Sequence, residues 1–235
     1  MWIWGKSLYP YYLGAYEIIM EMQLKLELKG SDKQINKAIL TALKKHLNDV
    51  MVVAANKASV AVQSKMRRLL GEHPTVRALK GGSLAGELGV PQLEVRINNI
   101  IDIWIKSMVV KVKKVSIKQG QLVGGFKLQM IKSDWTDVLQ HPDSIFATEK
   151  DYTLEWLDWL LIQGSRIVVR DYDYFAKSGT GRSGQGIMNP YFGRKRWSIP
   201  YAYQGTRNNN FCTQAIEIVH THLDKILTKA MEGAL

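Results

Sequence analysis

Residues 108–132 read MVVKVKKVSIKQGQLVGGFKLQMIK. Met108, Val110 and Val112 alternate with polar or outward positions, the period of two that marks a half-buried strand. Across Lys113-Lys114 the parity changes to Val115 and Ile117, as one inserted bulge residue would make it. Gln119-Gly120 is a short polar-glycine joint, so the stretch predicts a β-hairpin, with Gly124-Gly125 a second irregularity on the returning strand. Just upstream, Leu93 to Ile105 carries Ile97, Ile100, Ile101 and Trp104 at helical spacing. A helix delivering an antiparallel hairpin sets the class as α+β.

Working outward, Met22, Leu24, Leu26 and Leu28 alternate with Gln23, Lys25, Glu27 and Lys29, predicting another strand that Gly30 ends. Ser31 stands three before Gln34, a capping-box pattern, and a long helix is expected from there to Leu69. Its apolar positions include Ile35, Ala38, Ile39, Ala42, Leu47, Met51, Ala58 and Val62, with the sheet and a second helix as expected neighbours. The glycines between His73 and Pro91 predict a loop. Thr153–Gly164 predicts a short amphipathic helix and Arg166–Tyr172 a strand. Residues 178–186, SGTGRSGQG, predict a flexible tip; Arg196–Ile199 predicts extended chain before Pro200. A last helix carries Phe211, Ala215, Val219, Leu223 and Leu227. The expectation is one domain over 22–235, an antiparallel sheet flanked by helices, preceded by an aromatic arm at 1–21.

With 235 residues, 46% hydrophobic and 23% charged, the chain has the balance of a globular protein with a core of its own. Its one cysteine, Cys212, excludes an intrachain disulfide and a thiolate metal site, and points to a reducing compartment. No apolar run approaches the roughly 18 residues of a membrane span, and the opening MWIWGKSLYPYY does not read as a signal peptide. A formal charge of +11 points toward polyanions or acidic protein surfaces. Six of the twenty-two aromatic residues fall in the first twenty positions, among them Trp2, Trp4, Tyr9, Tyr11 and Tyr12. Rings this dense at a terminus predict an arm docked on a surface.

No motif of catalysis survives weighing. Gly179-Thr180-Gly181-Arg182-Ser183-Gly184 matches the dinucleotide fingerprint, but Gln185-Gly186-Ile187-Met188-Asn189-Pro190 cannot continue as the helix that fingerprint requires. A hairpin tip or subunit-contact loop fits better. His220 and His222, two apart on a helix, diverge by roughly 200° and cannot share a metal. Glu155 and Asp158 read as the polar stripe of a helix. Asp171 and Asp173, at alternate positions of a strand end, are the only carboxylates placed to share one side. No cofactor, metal or catalytic residue is expected. Lys111, Lys113 and Lys114 on the hairpin, and Arg194 and Arg196 beside Trp197, interleave charge with rings as single-stranded nucleic-acid binders do. Lysine on an edge hairpin also guards against aggregation.

Three blocks together resemble the tail-completion or neck proteins of tailed bacteriophages, over roughly residues 22–232. The first is the small-residue helix leading into LKGGSLAGELGVP (Leu79–Pro91) and the Ile97–Trp104 stretch INNIIDIW. The second is LEWLDWLLIQGSRIVVRDYDY (Leu154–Tyr174). The third is SGTGRSGQGIM followed by Trp197-x-Ile199-Pro200, Gly205-Thr206 and Asn210-Phe211-x-x-x-Ala215-Ile216. The resemblance implies a non-enzymatic virion protein that forms a homo-oligomeric ring of six or twelve copies in the phage neck. Portal and adaptor proteins would lie on its head side, and tail terminator, tube or sheath proteins on its tail side. Packaged DNA would lie in reach, and no membrane is involved. Trp, Tyr and Arg are favoured interface anchors. The residues expected at contacts are therefore the arm's Trp2, Trp4, Tyr9, Tyr11 and Tyr12; Lys111, Lys113 and Lys114; Gly179, Gly181, Arg182 and Gly184; and Arg194, Arg196 and Trp197. The alternative is a sequence-independent nucleic-acid-binding protein.

Overall fold

The computed structural model describes residues 4–5, 21–27, 32–129, 135–148, 152–176, 181–182, 184, 186–191, 193 and 195–235. In chain order the elements are β1 (Trp4–Gly5), β2 (Glu21–Glu27), α1 (Lys33–Glu72), α2 (Pro74–Leu79), α3 (Ser83–Leu88) and α4 (Leu93–Lys106). The hairpin follows as β3 (Val109–Lys118) and β4 (Gln121–Gln129), then α5 (Thr136–Leu139), β5 (Phe146–Ala147), β6 (Thr153–Leu154) and α6 (Trp156–Leu161). The chain ends with β7 (Val169–Arg170), β8 (Tyr172–Ala176), β9 (Gly186–Pro190), β10 (Arg196–Trp197) and α7 (Phe211–Glu232). The class is α+β, with antiparallel sheets flanked by helices. The fold resolves into two compact units, each assembled from separated stretches of chain.

The first unit comprises residues 1–64, 106–133 and 220–235. Its sheet runs β1-β2-β4-β3, all antiparallel. Gln119 and Gly120 both take positive φ, 50° and 76°, the twisted two-residue turn that suits a tight hairpin. The register shifts between Lys113 and Ser116, placing the bulge where the sequence parity changes. A Cβ on Gly124 would lie 2.7 Å from a Val115 methyl, so glycine here is what lets the bulge close on its partner strand. β3 is an edge strand, and α1 covers its open backbone. Ser59 Oγ accepts the Val110 N–H at 2.9 Å, and Asn48 Oδ1 accepts the Val115 N–H at 2.8 Å. Gln63 donates to the Met108 carbonyl at 2.8 Å. Side chains of one helix thus occupy amides that would otherwise template another strand. Leu47, Met51, Ala54 and Ala58 of α1, Val110, Leu122 and Phe126 of the sheet, and Leu223 and Leu227 of α7 are buried.

The start of α1 corrects the sequence reading. The N-cap is Asp32, whose Oδ1 accepts the N–H of Gln34 at 2.9 Å and of Ile35 at 3.3 Å; a carboxylate one position later takes the role assigned to Ser31, which itself lies outside the described residues. Several expected core positions are also at the surface: Ile35 is 57% and Ile39 40% exposed, and Ala38 and Ala42 are exposed as well.

The second unit comprises residues 65–105 and 134–219. Its core gathers Leu79, Leu84, Ile97, Ile101, Trp104, Trp135, Trp156, Leu157, Leu160 and Phe211. Trp156 is fully buried and its indole N–H donates to the Asp143 carbonyl at 2.9 Å. The expected loop between His73 and Pro91 is instead largely helical. Pro74 opens α2 behind His73, whose Nδ1 accepts the Thr75 N–H at 3.2 Å, while Gly82 and Gly89 cap α3 at its two ends. Glycines read as loop punctuation serve as caps, Gly89 with the left-handed φ of 63° that favours it. Buried Val76, Leu79, Leu84 and Leu88 hold both short helices.

The strand expected over Arg166–Tyr172 is broken as well. Asp171 has φ 61°, dividing β7 from β8, so Asp171 and Asp173 do not alternate along one regular strand. Aspartate tolerates this conformation better than most residues. Its backbone is pinned on both sides: Asp171 N–H donates to the Lys195 carbonyl at 2.8 Å, and its own carbonyl accepts the Tyr191 N–H at 2.7 Å.

Candidate interaction surfaces

β8 and β9 form an antiparallel hairpin with Tyr172 opposite Pro190, Tyr174 opposite Met188 and Ala176 opposite Gly186. Gly181, Arg182 and Gly184 lie between its two strands, and the dinucleotide reading falls because a strand rather than a helix follows. Gly184 N–H closes a turn on the Gly181 carbonyl at 2.8 Å. Tyr172, Phe175 and Tyr191 are 41%, 46% and 41% exposed. The base of the hairpin is tied by an ion pair between Lys195 and Asp173, and the Lys195 ammonium lies 4.6 Å from the centre of the Tyr191 ring. The Asp173 hydrogen bond, together with its charge and that of Tyr191, raises the Lys195 ammonium above its ordinary value. Asp173 is thus paired with a cation, and the Asp171 backbone is held on both sides.

Arg182 turns back toward its own unit, its guanidinium carbon 5.8 Å from the centre of the Phe146 ring. Arg96 approaches the same ring at 5.6 Å while donating to the carbonyls of Pro142 and Ile145. Arg96 thus fastens the β5 segment to α4, and Arg182 fastens it to the chain between β8 and β9. Trp197 is half-buried, and its indole N–H donates to Glu87 at 2.9 Å. Burial and the charge of Glu87 raise the Tyr174 phenol above its usual value. Arg196 lies on β10 directly opposite Arg170, and both are exposed. Of the remaining expected contact residues, Trp4 lies on β1, paired with Leu24 of β2. Trp2, Tyr9, Tyr11, Tyr12, Gly179 and Arg194 lie outside the described residues.

The hairpin lysines belong to a wider asymmetry. The first unit's stretches hold seventeen lysines, no arginine and seven carboxylates, a formal +10; the second unit's hold fifteen cationic and fourteen anionic residues, +1. Lys111 faces Lys127 directly across β3 and β4, with Lys113 two residues along and Glu21 across from Lys127 on β2. Lys111, Lys113 and Lys114 are exposed.

Burial lifts the Asp158 carboxyl above its usual range, and the charge of Glu155 adds to this. Glu155 itself pairs with Arg166 at 3.5 Å. Cys212 is buried at the start of α7, and burial alone drives its thiol well above the ordinary value, so it is a poor nucleophile. It lines a small apolar cavity of about 10 Å³ with Ile100, Trp104, Trp135, Leu157 and Leu161, room at the scale of one water and not of a substrate. Among the described residues no three His, Cys, Asp or Glu side chains gather as a metal site, and no helix is long and apolar enough to cross a membrane.

The Lys195–Asp173–Tyr191 cluster and the Arg96–Phe146–Arg182 stack are not legible in the sequence, because Asp173 lies 22 residues from Lys195 and Phe146 lies 50 and 36 residues from the two arginines. Tyr201, just after Pro200, is 91% exposed. No protein-family model, curated protein or solved structure matches the chain.

Proposed function

We propose that this chain is a structural virion protein of a tailed bacteriophage, forming a homo-oligomeric ring in the neck between head and tail. The reading is supported by the three blocks of sequence that resemble neck and tail-completion proteins. The observation that carries it is the set of exposed rings around the second and third blocks: Tyr172, Phe175 and Tyr191 on and beside the β8–β9 hairpin, followed by Tyr201. Large rings at a surface cost solubility and are retained where a neighbour covers them. In a ring each subunit offers such a patch to a different patch on the next. Electron microscopy of the purified protein, alone and with phage portal and adaptor proteins, tests the proposal. Closed rings of six or twelve copies that join the portal–adaptor assembly are expected. A protein that stays subassembled at every concentration and ignores those partners would overturn it.

The charge asymmetry favours a second reading, sequence-independent binding to a nucleic-acid backbone through the first unit. Lysine ammoniums are point charges that meet phosphates without the bidentate fork that reads base edges. Duplex retention that falls steeply with salt, is indifferent to sequence and is weakened by Lys111→Glu with Lys113→Glu is the expected signature. Retention unchanged by both substitutions would refute it.

A further inference from the structure

α1 is apolar on two opposite sides. One side holds the buried Leu47, Met51, Ala54 and Ala58; the other presents Ile35, Ile39, Val53 and Val60 to solvent at 57%, 40%, 47% and 63% exposure. From Ile35 to Val60 the exposed side follows an unbroken four-three spacing through Ala42, His46, Asp49 and Asn56, each of them exposed. That spacing is the seam of a coiled coil, nearly four heptads long over about 38 Å of helix.

The order of residues along the seam is self-complementary under reversal. Laid antiparallel against itself about a two-fold axis between His46 and Asp49, the helix sets Ile35 against Val60, Ala42 against Val53 and Ile39 against Asn56. At the centre His46 meets Asp49 of the other copy, twice. Among the described residues neither His46 nor Asp49 has a hydrogen-bond or ion-pair partner within the chain, so an imidazole N–H and a carboxylate are both available to pair. The flanking positions also avoid like charges, since Lys45 would face Val52 and Lys57 would face Asn36.

We propose that the exposed side of α1 is a dimerisation surface for a second copy of this chain, docked antiparallel with His46 against Asp49. A closed isologous contact of this kind is independent of the ring reading, which uses different residues.

Cross-linking and sedimentation on the full-length protein test it. Pairing of position 42 with position 53 predicts that an equimolar mixture of Ala42→Cys and Val53→Cys chains forms an intermolecular disulfide under mild oxidation. Val53→Cys alone should not, because antiparallel pairing separates the two Val53 positions by eleven residues, about 16 Å, well beyond disulfide reach. The native Cys212 is buried and stays silent. In sedimentation equilibrium, Val53→Lys should weaken the dimer at least about tenfold, with a thermal melt unchanged when both proteins are diluted to monomer. His46→Asp alone or Asp49→Lys alone should weaken it, and the two together should restore it. Cross-linking by Val53→Cys alone would overturn the antiparallel register. A monomeric wild type, or a dimer indifferent to Val53→Lys, would overturn the surface.

Discussion

Replacing Asn48 by alanine isolates the joint between helix and sheet. Asn48 Oδ1 accepts the Val115 N–H at 2.8 Å, and its Nδ2 donates to the Lys44 carbonyl at 2.9 Å and, more weakly, to the Val115 carbonyl at 3.4 Å. Val115 sits inside the β3 bulge, between the register positions of Lys113 and Ser116, and is 1% exposed. β4 offers its backbone no ladder partner there, so truncation leaves a buried amide unsatisfied. Such an orphan costs about 1–3 kcal/mol. Alanine is a better helix former than asparagine by roughly 0.5 kcal/mol, which offsets part of the loss. The net expectation is a destabilisation of about 1–2 kcal/mol, or a fall in Tm of roughly 2–8 °C for a chain of this length. Thermal denaturation followed by far-UV circular dichroism gives the global figure, and amide hydrogen exchange gives the local one. The Val115 amide should lose protection far more than Val110, whose N–H remains on Ser59. If the Val115 amide exchanges as slowly as before, or both amides lose protection equally, Asn48 is not what seals the bulge.

Trp156→Phe removes the indole N–H from the Asp143 carbonyl and leaves a void in the second unit, and should cost about 2–4 kcal/mol by denaturant titration; a loss under 1 kcal/mol would show that the site collapses freely. The Asp158 carboxyl holds its proton more tightly when folded than when unfolded, so it contributes stability at low pH that is lost as pH rises through its raised value. The Tm of Asp158→Asn relative to wild type should therefore climb as pH rises from below the ordinary aspartate range through that raised value, and a difference that stays flat would remove burial as the cause. Cys212, buried with a raised thiol, should react with iodoacetamide at least about tenfold more slowly in the folded protein than in denaturant; equal rates would mean that the start of α7 opens readily.

The elements that sequence alone placed are those whose signal lies within one turn or one pleat. The β3–β4 hairpin, its bulge and its turn follow from alternation, a parity change and Gln119-Gly120, and α4 and α7 follow from their apolar spacing. The readings that failed are those in which one residue type serves two purposes. Glycines between His73 and Pro91 signal chain breaks, yet Gly82 and Gly89 cap a helix whose existence rests on burying Leu84 and Leu88. Asp171 lies in a run of β-favouring residues, and only the amide of Tyr191 and the carbonyl of Lys195 hold it in a left-handed conformation. Candidate contacts divided in the same way. Trp197 and Arg182 were chosen by residue type, but Glu87 and Phe146, distant in sequence, draw them back toward their own unit.

What the sequence determined by itself is therefore local: the class, the hairpin, the long helix and the total charge. Tertiary structure decided which side of each element meets protein and which meets solvent. α1 shows the reason. Its apolar residues encircle the helix, and periodicity cannot rank Ile35 and Ile39 against Leu47 and Met51, because all of them are equally able to be buried. The choice is made by Asn48, Ser59 and Gln63, which lie on one side and bind the open edge of β3. The same folding gathers ten of the eleven net positive charges into one unit by bringing residues 106–133, which carry +7 and no carboxylate, together with residues 1–64, which carry +3.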